Sequence, residues 1–511
     1  MSTPARLLLT AVLALGLAHL LLLPPFEGFD ETGHYSSILQ IADTGQVPHL
    51  GKAWMAREVE AYQAEGPMPY SPASLQAGTT YEAYFQDDPG PRGMAVSPPF
   101  EASALANWQG QHPPLYYLLL APVAKATAGL PLRERLHWLR GVSFLFAVGA
   151  LCLAALFNAR WMGVRDWQIA LWPMLMPSWF PEMARLGNDG LACLLLTLAW
   201  GAMLTLRRHP EDRLGWLLLG AWFGLGLLTK AYVWPIALAG FAYLAVRTWR
   251  QWATLSRGAK VVPVAGFALT IAIGAPWYLW LAASGIAQTS DAATLAQHGG
   301  LTAGLAQHWS LADFLYSLAS LVKSFIWAGT WSFARPPAIF YLPYLAFAAV
   351  LLALWLWANR RAPAEIVPPP VFLLPMLLGL IGQILLWLAL GAKGVTGGWY
   401  LHSLVGPLGL IAATAMAALE RIPGGRVVRT AMLAYALAFG AAMAWLQIGM
   451  FSGCNGRTAD NPVYHVDWSC ALDVALVWRR MAMLSEPGLA AAAAVLGAAA
   501  LAAGLISVRK G

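Results

Sequence analysis

The sequence predicts an all-α polytopic membrane protein, with about twelve transmembrane helices and further helices lying along one membrane face. Three observations carry that prediction. The 511 residues are 59% hydrophobic and only 11% charged, whereas soluble domains carry roughly 25% charged residues. So few charges could not cover a soluble protein of this length. Apolar runs approach the ~20 residues that a tilted helix needs to span. Short Arg-rich turns separate those runs. A cytosolic enzyme, a secreted disulfide scaffold and a disordered chain are excluded. The net charge of +7 marks inner loops and calls for no nucleic-acid partner.

In chain order, the first span covers 7–25, after Arg6. It lacks a small-residue cleavage site before Phe26, so it reads as a retained helix and not as a signal peptide. The loop from Phe26 to Arg140 holds 12 of the 25 acids. Within it, residues 33–44 alternate apolar and polar at helical spacing, which predicts an interfacial helix. Residues 52–65 predict a second one. Residues 66–100, rich in Pro, Gly and Ser, read as an irregular lid or loop. The stretch 113–130 is apolar enough to span, but spanning would move every later loop to the other side. That would put the densest Arg clusters outside, so 113–130 reads as interfacial or partly inserted.

Later spans fall near 141–158, 168–184, 190–206, 214–229, 231–246, 261–283, 338–358, 371–391, 400–419, 430–449 and 487–507. An outward segment, 284–337, contains a surface helix at 311–328, and another covers 450–486. With this topology seventeen of the 32 Lys and Arg lie in short inner turns, against five of the 25 acids: Asp166, Glu211, Asp212, Glu365 and Glu420. The division follows the positive-inside rule. The chain then reads as two modules. One is 1–283, including the loop 26–140. The other is 284–511, with the loops 284–337 and 450–486. No internal repeat is recognisable.

Cys152 and Cys193 fall in spans and read as packing residues. Cys454 and Cys470 share one outward loop, where an oxidising compartment permits a disulfide; two free thiols are the alternative. His465 and Asp467 lack zinc-ligand spacing.

The strongest chemical signal is Phe29-Asp30-Glu31-Thr32-Gly33-His34-Tyr35, just after the first span. Adjacent carboxylates at an apolar boundary are costly unless solvated or paired. Partial desolvation raises a carboxylate pKa and suits it to general-base work. The plain structural reading makes Asp30 a helix cap and Glu31 a first-turn acid. Second is Arg185-Leu186-Gly187-Asn188-Asp189-Gly190, which is equally ordinary turn chemistry. Third is Gln111-His112-Pro113-Pro114-Leu115-Tyr116-Tyr117, where prolines open a helix below a polar pair. Lys230, Arg335 and Lys393 are isolated cations at the outer boundary. Each either snorkels to headgroups or grips a phosphate.

Together these segments resemble the bacterial GT-C membrane glycosyltransferases, the branch that includes protein O-mannosyltransferases and the lipid A aminoarabinose transferase. The closest likeness is to an uncharacterised bacterial membrane family with an Asp-Glu-x-x-His motif, here Asp30-Glu31-Thr32-Gly33-His34. His112-Pro113-Pro114-Leu115-Tyr116-Tyr117, Asn188-Asp189-Gly190-Leu191 and Gly226-Leu227-Leu228-Thr229-Lys230 extend it over residues 1–235. The proline flanks of the family motif are missing. Its late Gly-Arg-Tyr is replaced by Gly398-Trp399-Tyr400-Leu401-His402, so the arginine is absent.

The resemblance implies a GT-C-like fold with periplasmic juxtamembrane helices in a bacterial inner membrane. It implies inverting transfer of a sugar from a polyprenyl-phosphate donor to a glycan, lipid or protein acceptor, with membrane lipids as surroundings. Asp30 would be the base and Glu31 would orient the acceptor or support the site. Asp189 would bind the sugar, the acceptor or a metal. His34 and His112 would line the cavity, and Tyr35, Asn188 and Tyr400 would also bind substrate. Lys230 would hold the donor phosphate, with Arg335, Lys393 or His402 standing in for the missing arginine. Some relatives use a divalent ion, but no metal or cofactor is predicted here. The rival readings are a lipid-linked sugar transporter or flippase and an oligosaccharide polymerase. All 25 acids lie in loops or at span ends, which counts against proton coupling through mid-membrane carboxylates.

Overall fold

The computed structural model describes residues 1–65, 80–86, 90–251, 253, 255, 257–287, 289–297, 299–360, 368–454 and 466–510. Arg361, Glu365, His465 and residues 66–79 of the expected lid lie outside the described residues.

The apolar run after Arg6 forms α1 (Thr3–Leu22). Pro4 sits in its first turn and the Ser2 hydroxyl accepts from the Ala5 N–H, a standard N-terminal cap. Next comes α2 (Glu31–Thr44), expected at the membrane interface. The helix forms close to the expected 33–44, and Glu31 to Ala42 are all buried within the protein. Burial is tolerable because the polar side of α2 finds protein partners. Asn107 Nδ2 donates to the Gly33 carbonyl at 2.9 Å and to Ser37 Oγ at 3.0 Å, and Ser36 Oγ accepts from the Ala56 N–H at 2.9 Å.

The expected helix at 52–65 is also corrected. Trp54–Ala56 forms β1, and only α3 (Arg57–Glu65) is helical. After α4 (Tyr81–Gln86), β2 (Ala102–Ala106) pairs antiparallel with β1, with Trp54 opposite Ala106 and Ala56 opposite Ala102. Flanking backbone bonds, Arg57 N to Glu101 O and Asn107 N to Ala53 O, extend the ribbon. Tertiary pairing overrides local helical preference here, a small departure from an all-helical chain.

α5 (Leu115–Ala126) has 12 residues, about 18 Å of helix, too short for a hydrocarbon core about 30 Å thick. This agrees with the interfacial reading of 113–130. α6 (Leu132–Met162) begins well before the expected 141. Its early turns are buried against the loop, with Leu136 and Leu139 packing on Tyr35, Ile38 and Tyr116.

The expected span 168–184 is broken into α7 (Asp166–Ala170), α8 (Trp172–Leu175) and α9 (Trp179–Met183). Pro173, Pro177 and Pro181 lack the N–H that a continuous helix needs. α10 (Asp189–Arg208), α11 (Arg213–Leu227), α12 (Val233–Arg250) and α13 (Arg257–Ala283) follow. Then come α14 (Ser290–Gln297), α15 (Gly300–His308), the expected surface helix as α16 (Leu311–Ile326), and α17 (Leu342–Asn359). The chain ends with α18 (Pro368–Ala389), α19 (Val405–Leu419), α20 (Gly425–Phe451), α21 (Trp468–Ala471), α22 (Val474–Leu484) and α23 (Pro487–Lys510).

Among the described residues nine helices are long and apolar enough to cross a membrane: α1, α6, α10, α13, α17, α18, α19 with the turn of 3-10 helix before it, α20 and α23. The shortfall from about twelve lies at the proline-broken segment, at α11 with its 15 residues, and at α12, which ends in Arg247 and Arg250. α10 and α19 are the most enclosed of the nine and α23 the least. α1 lies along α23, α6 along α10, and α11 along α13. Cys454 and Cys470 form a disulfide, while Cys152 and Cys193 are free.

Candidate active site

At the end of the bundle that carries loop 26–140, a cavity of about 1160 Å³ opens between that loop, the α11–α12 turn and α18. Asp30, His112, Lys230, Arg335 and Tyr400 stand on its wall. α18 contributes an apolar side through Pro375, Met376, Gly379 and Leu380.

Asp30 occupies the position before α2 with φ of 62°, a left-handed conformation that Asp tolerates better than most residues. Its side chain makes no capping bond to α2. Instead Oδ1 accepts from the Trp108 indole N–H at 3.2 Å. The carboxylate is therefore turned away from its own helix and toward the cavity. Burial raises its pKa; Arg185, Trp108 and Lys230 pull it back down, and Asp189 pushes up again.

Glu31 does not share that setting. Both its oxygens are engaged by Arg140, Nε to Oε1 at 2.8 Å and Nη2 to Oε2 at 2.6 Å, with both side chains fully buried. The Leu186 and Gly28 N–H groups supply the remaining bonds at 2.8 and 3.1 Å. Arg140 also donates to the Leu23 and Pro24 carbonyls at 2.6 and 2.8 Å. Glu31 thus ties the end of α1, the start of α2, α6 and the α9–α10 turn together, and stands off the cavity wall. Of the two places expected for Glu31, beside the acceptor or supporting the site, these bonds fit the second.

Asp189, the first residue of α10, is buried between two cations. Arg185 Nη2 lies 2.9 Å from Oδ2 and Lys230 Nζ 3.0 Å from Oδ1. Arg185 also pairs with Glu182 and donates to the Phe29 carbonyl at 2.7 Å, which holds the backbone beside Asp30. Lys230 sits 5.1 Å from the Tyr400 ring centroid and 5.8 Å from that of Tyr232. Cations already take both Asp189 oxygens, so this donor set does not fit a divalent metal. Among the described residues no three His, Cys, Asp or Glu side chains gather as a metal site.

The remaining expected residues divide. His112 faces the cavity, and burial together with Lys230 lowers its pKa to about 3, so it stands neutral. His34 lies behind it, ring centroids 6.0 Å apart, with Nδ1 3.0 Å from the Tyr117 hydroxyl. Asn188 is buried and donates to the Thr229 carbonyl at 3.3 Å, bracing the turn that carries Lys230. His34, Tyr35, Asn188, Lys393 and His402, all expected at the substrate, do not line the cavity. The Tyr35 hydroxyl donates to Glu58 at 2.9 Å. Lys393 turns outward to Asp313 at 2.6 Å. His402 is buried, its Nε2 3.0 Å from the Phe325 carbonyl and its ring stacked on Phe325. Of the three stand-ins for the missing arginine, only Arg335 reaches the cavity.

Sequence reasoning gave no role to Arg140, to Arg185 although it opens a marked motif, to Trp108, or to the aromatic group in which Phe29 stacks on Trp399 at 4.9 Å and meets Trp331 at 5.1 Å. Arg185 carried a usable signal, since it opens the motif that holds Asp189; Arg140 and its partner Glu31 are too far apart in sequence to be read together. The tryptophans carried none, because they come together only by tertiary packing.

No family model and no curated protein matches the chain. Among solved structures it is similar to ArnT from Cupriavidus metallidurans bound to undecaprenyl phosphate, at 15% identity and a TM-score of 0.47, over 99% of this chain and 77% of that one. The apo state of the same protein matches at 16% identity and a TM-score of 0.47, over 98% and 74%. An apo oligosaccharyltransferase from Archaeoglobus fulgidus matches at 11% identity and a TM-score of 0.38, over 94% and 56%. These likenesses are loose, and what the site can do follows from its own residues.

Proposed function

We propose that the protein is a GT-C-like membrane glycosyltransferase. It moves a sugar from a polyprenyl-phosphate donor to a glycan, lipid or protein acceptor on the periplasmic side of a bacterial inner membrane. The observation that carries this reading is the meeting of Asp30, Lys230 and Arg335 on one cavity whose other wall is the apolar span α18. A hydrocarbon chain suits that wall, and a phosphate suits the two cations.

The chemistry is a single inverting displacement. Asp30 accepts the proton of the acceptor hydroxyl as its oxygen bonds to the anomeric carbon. The bond from that carbon to the phosphate oxygen breaks, and the phosphate leaves with the electron pair. Lys230, poised between Asp189 and Tyr400, and Arg335 offset the charge that grows on it. Glu31 and Arg140 hold the loop in register, and Arg185 fixes the backbone at Phe29. The raised pKa of Asp30 favours proton uptake. It also means that the rate falls as pH drops through that pKa, because a protonated carboxyl accepts no proton.

The test is transfer by purified protein from a polyprenyl-phosphate sugar. Asp30→Asn should lower the rate by about 10²–10⁴-fold while leaving elution and melting unchanged, and Lys230→Ala should weaken donor binding. Full activity of Asp30→Asn would remove the base. Net movement of intact donor across vesicles without a new glycosidic bond would favour a transporter instead.

A further inference from the structure

A second cavity, of about 660 Å³, lies at the opposite end of the bundle. Arg165, Arg208, Arg421 and Arg426 face it, from the turn after α6, the last turn of α10, the α19–α20 connection and the first turn of α20. Its one acid is Glu420, and that carboxylate is already paired with Arg429. Trp355 and Leu410 supply an apolar side.

Positive-inside bias and the pull of helix C-termini on cations account for arginines at this end. They do not account for Gln168. Gln168 lines the cavity, is 1% exposed, and its Nε2 has no partner among the described residues. The other end of the amide is fixed, since Oε1 accepts from the Arg165 N–H at 3.2 Å. The –NH2 group is thus a buried donor on a residue that shares the cavity wall with the arginines. A buried unpaired donor costs about 1–3 kcal/mol, a cost that an acceptor in the cavity removes. Arg208 is positioned by its bond to the Trp161 carbonyl at 2.6 Å and keeps further N–H groups to offer. A wall of donors with its acid neutralised fits a ligand that only accepts and carries negative charge.

We propose that this cavity binds a phosphate group, the chemistry shared by an anionic lipid headgroup at that membrane face and by free phosphate. The site lies at the far end of α10 from Asp189, and 20 residues of helix separate the two by about 30 Å. It is therefore distinct from the cavity around Asp30.

The experiment uses the full chain in detergent. Lipid adducts are read by native mass spectrometry with phosphatidylglycerol against phosphatidylcholine, and radiolabelled inorganic phosphate is followed by equilibrium dialysis. Preference for phosphatidylglycerol without uptake of inorganic phosphate supports the site and assigns it to a headgroup. Uptake of inorganic phosphate supports it as a site for phosphate itself. In either case Arg421→Gln/Arg426→Gln, at two exposed positions, should reduce binding about thirtyfold, and Gln168→Leu should reduce it with all four arginines in place. Gln168→Glu, similar in shape but opposite in sign, should do so too. Equal retention of the two lipids with no phosphate uptake overturns the proposal. So does binding that survives all three variants.

Discussion

Asp30 and Glu31 are adjacent in sequence and opposite in environment. Glu31 is fully buried in a bidentate pair with Arg140, whereas Asp30 faces the cavity with a single indole donor. Removing one partner of a buried pair leaves the other charge unpaired, at a cost of roughly 3–5 kcal/mol. Glu31→Gln is therefore expected to lower the thermal midpoint steeply. Arg140→Lys should not repair the site, because an ammonium cannot replace two parallel N–H bonds. Asp30→Asn should leave the midpoint near its original value. Differential scanning fluorimetry of the three variants distinguishes these roles, and equal melting of Glu31→Gln and Asp30→Asn would refute the division. Both carboxylates were equally legible as candidates in the sequence. Their division was not, since it depends on a positive φ at Asp30 and on an arginine 109 residues away. Lys230 was legible as a lone boundary cation. Lys393 looked the same in sequence, and only packing turned it toward Asp313.

At the scale of elements, hydropathy located the spans well where nothing interrupts the helix. It failed where backbone chemistry decides. Residues 168–184 are apolar enough to span, yet three prolines break them. The buried α2 reads as interfacial because its polar residues bond to loop partners that local patterning cannot show. Helix association carried another unread signal. Gly220 and Gly224 stand one turn apart on α11, and a Cβ on Gly220 would lie 2.1 Å from the Gly266 carbonyl oxygen of α13. The backbones approach so closely that only glycine fits, the small-residue packing used between helices in lipid. Gly220→Val is expected to push α11 from α13 and to destabilise the bundle by at least about 1–3 kcal/mol. Gly379→Val on α18, where nothing lies within 4 Å of a built Cβ, serves as the control for a β-branched residue in a span. Matching denaturation midpoints for the two variants would show that the contact is not tight.

At the scale of the molecule, the scarce charges are sorted by end. The acids and paired cations around Asp30 crown one end of α10, and arginines gather at the other. Lys393 is 57% exposed at the Asp30 end, and Arg426 is exposed at the arginine end. If the arginine end faces the cytoplasm, a membrane-impermeant maleimide should label Lys393→Cys but not Arg426→Cys on spheroplasts, and the reverse in inverted vesicles. Of the natural cysteines, Cys454 and Cys470 are joined and Cys193 is buried, so only the half-buried Cys152 of α6 needs replacing first. The pattern bears on both sites at once. On the proposed function a polyprenyl-phosphate donor and its acceptor meet at the labelled end, and the proposed phosphate cavity opens to the other leaflet. Labelling of Arg426→Cys from outside would invert the whole assignment. It would place the proposed transfer site in the cytoplasm, where a nucleotide-activated sugar would be the more natural donor, and it would refute the periplasmic reading without touching the geometry of either cavity.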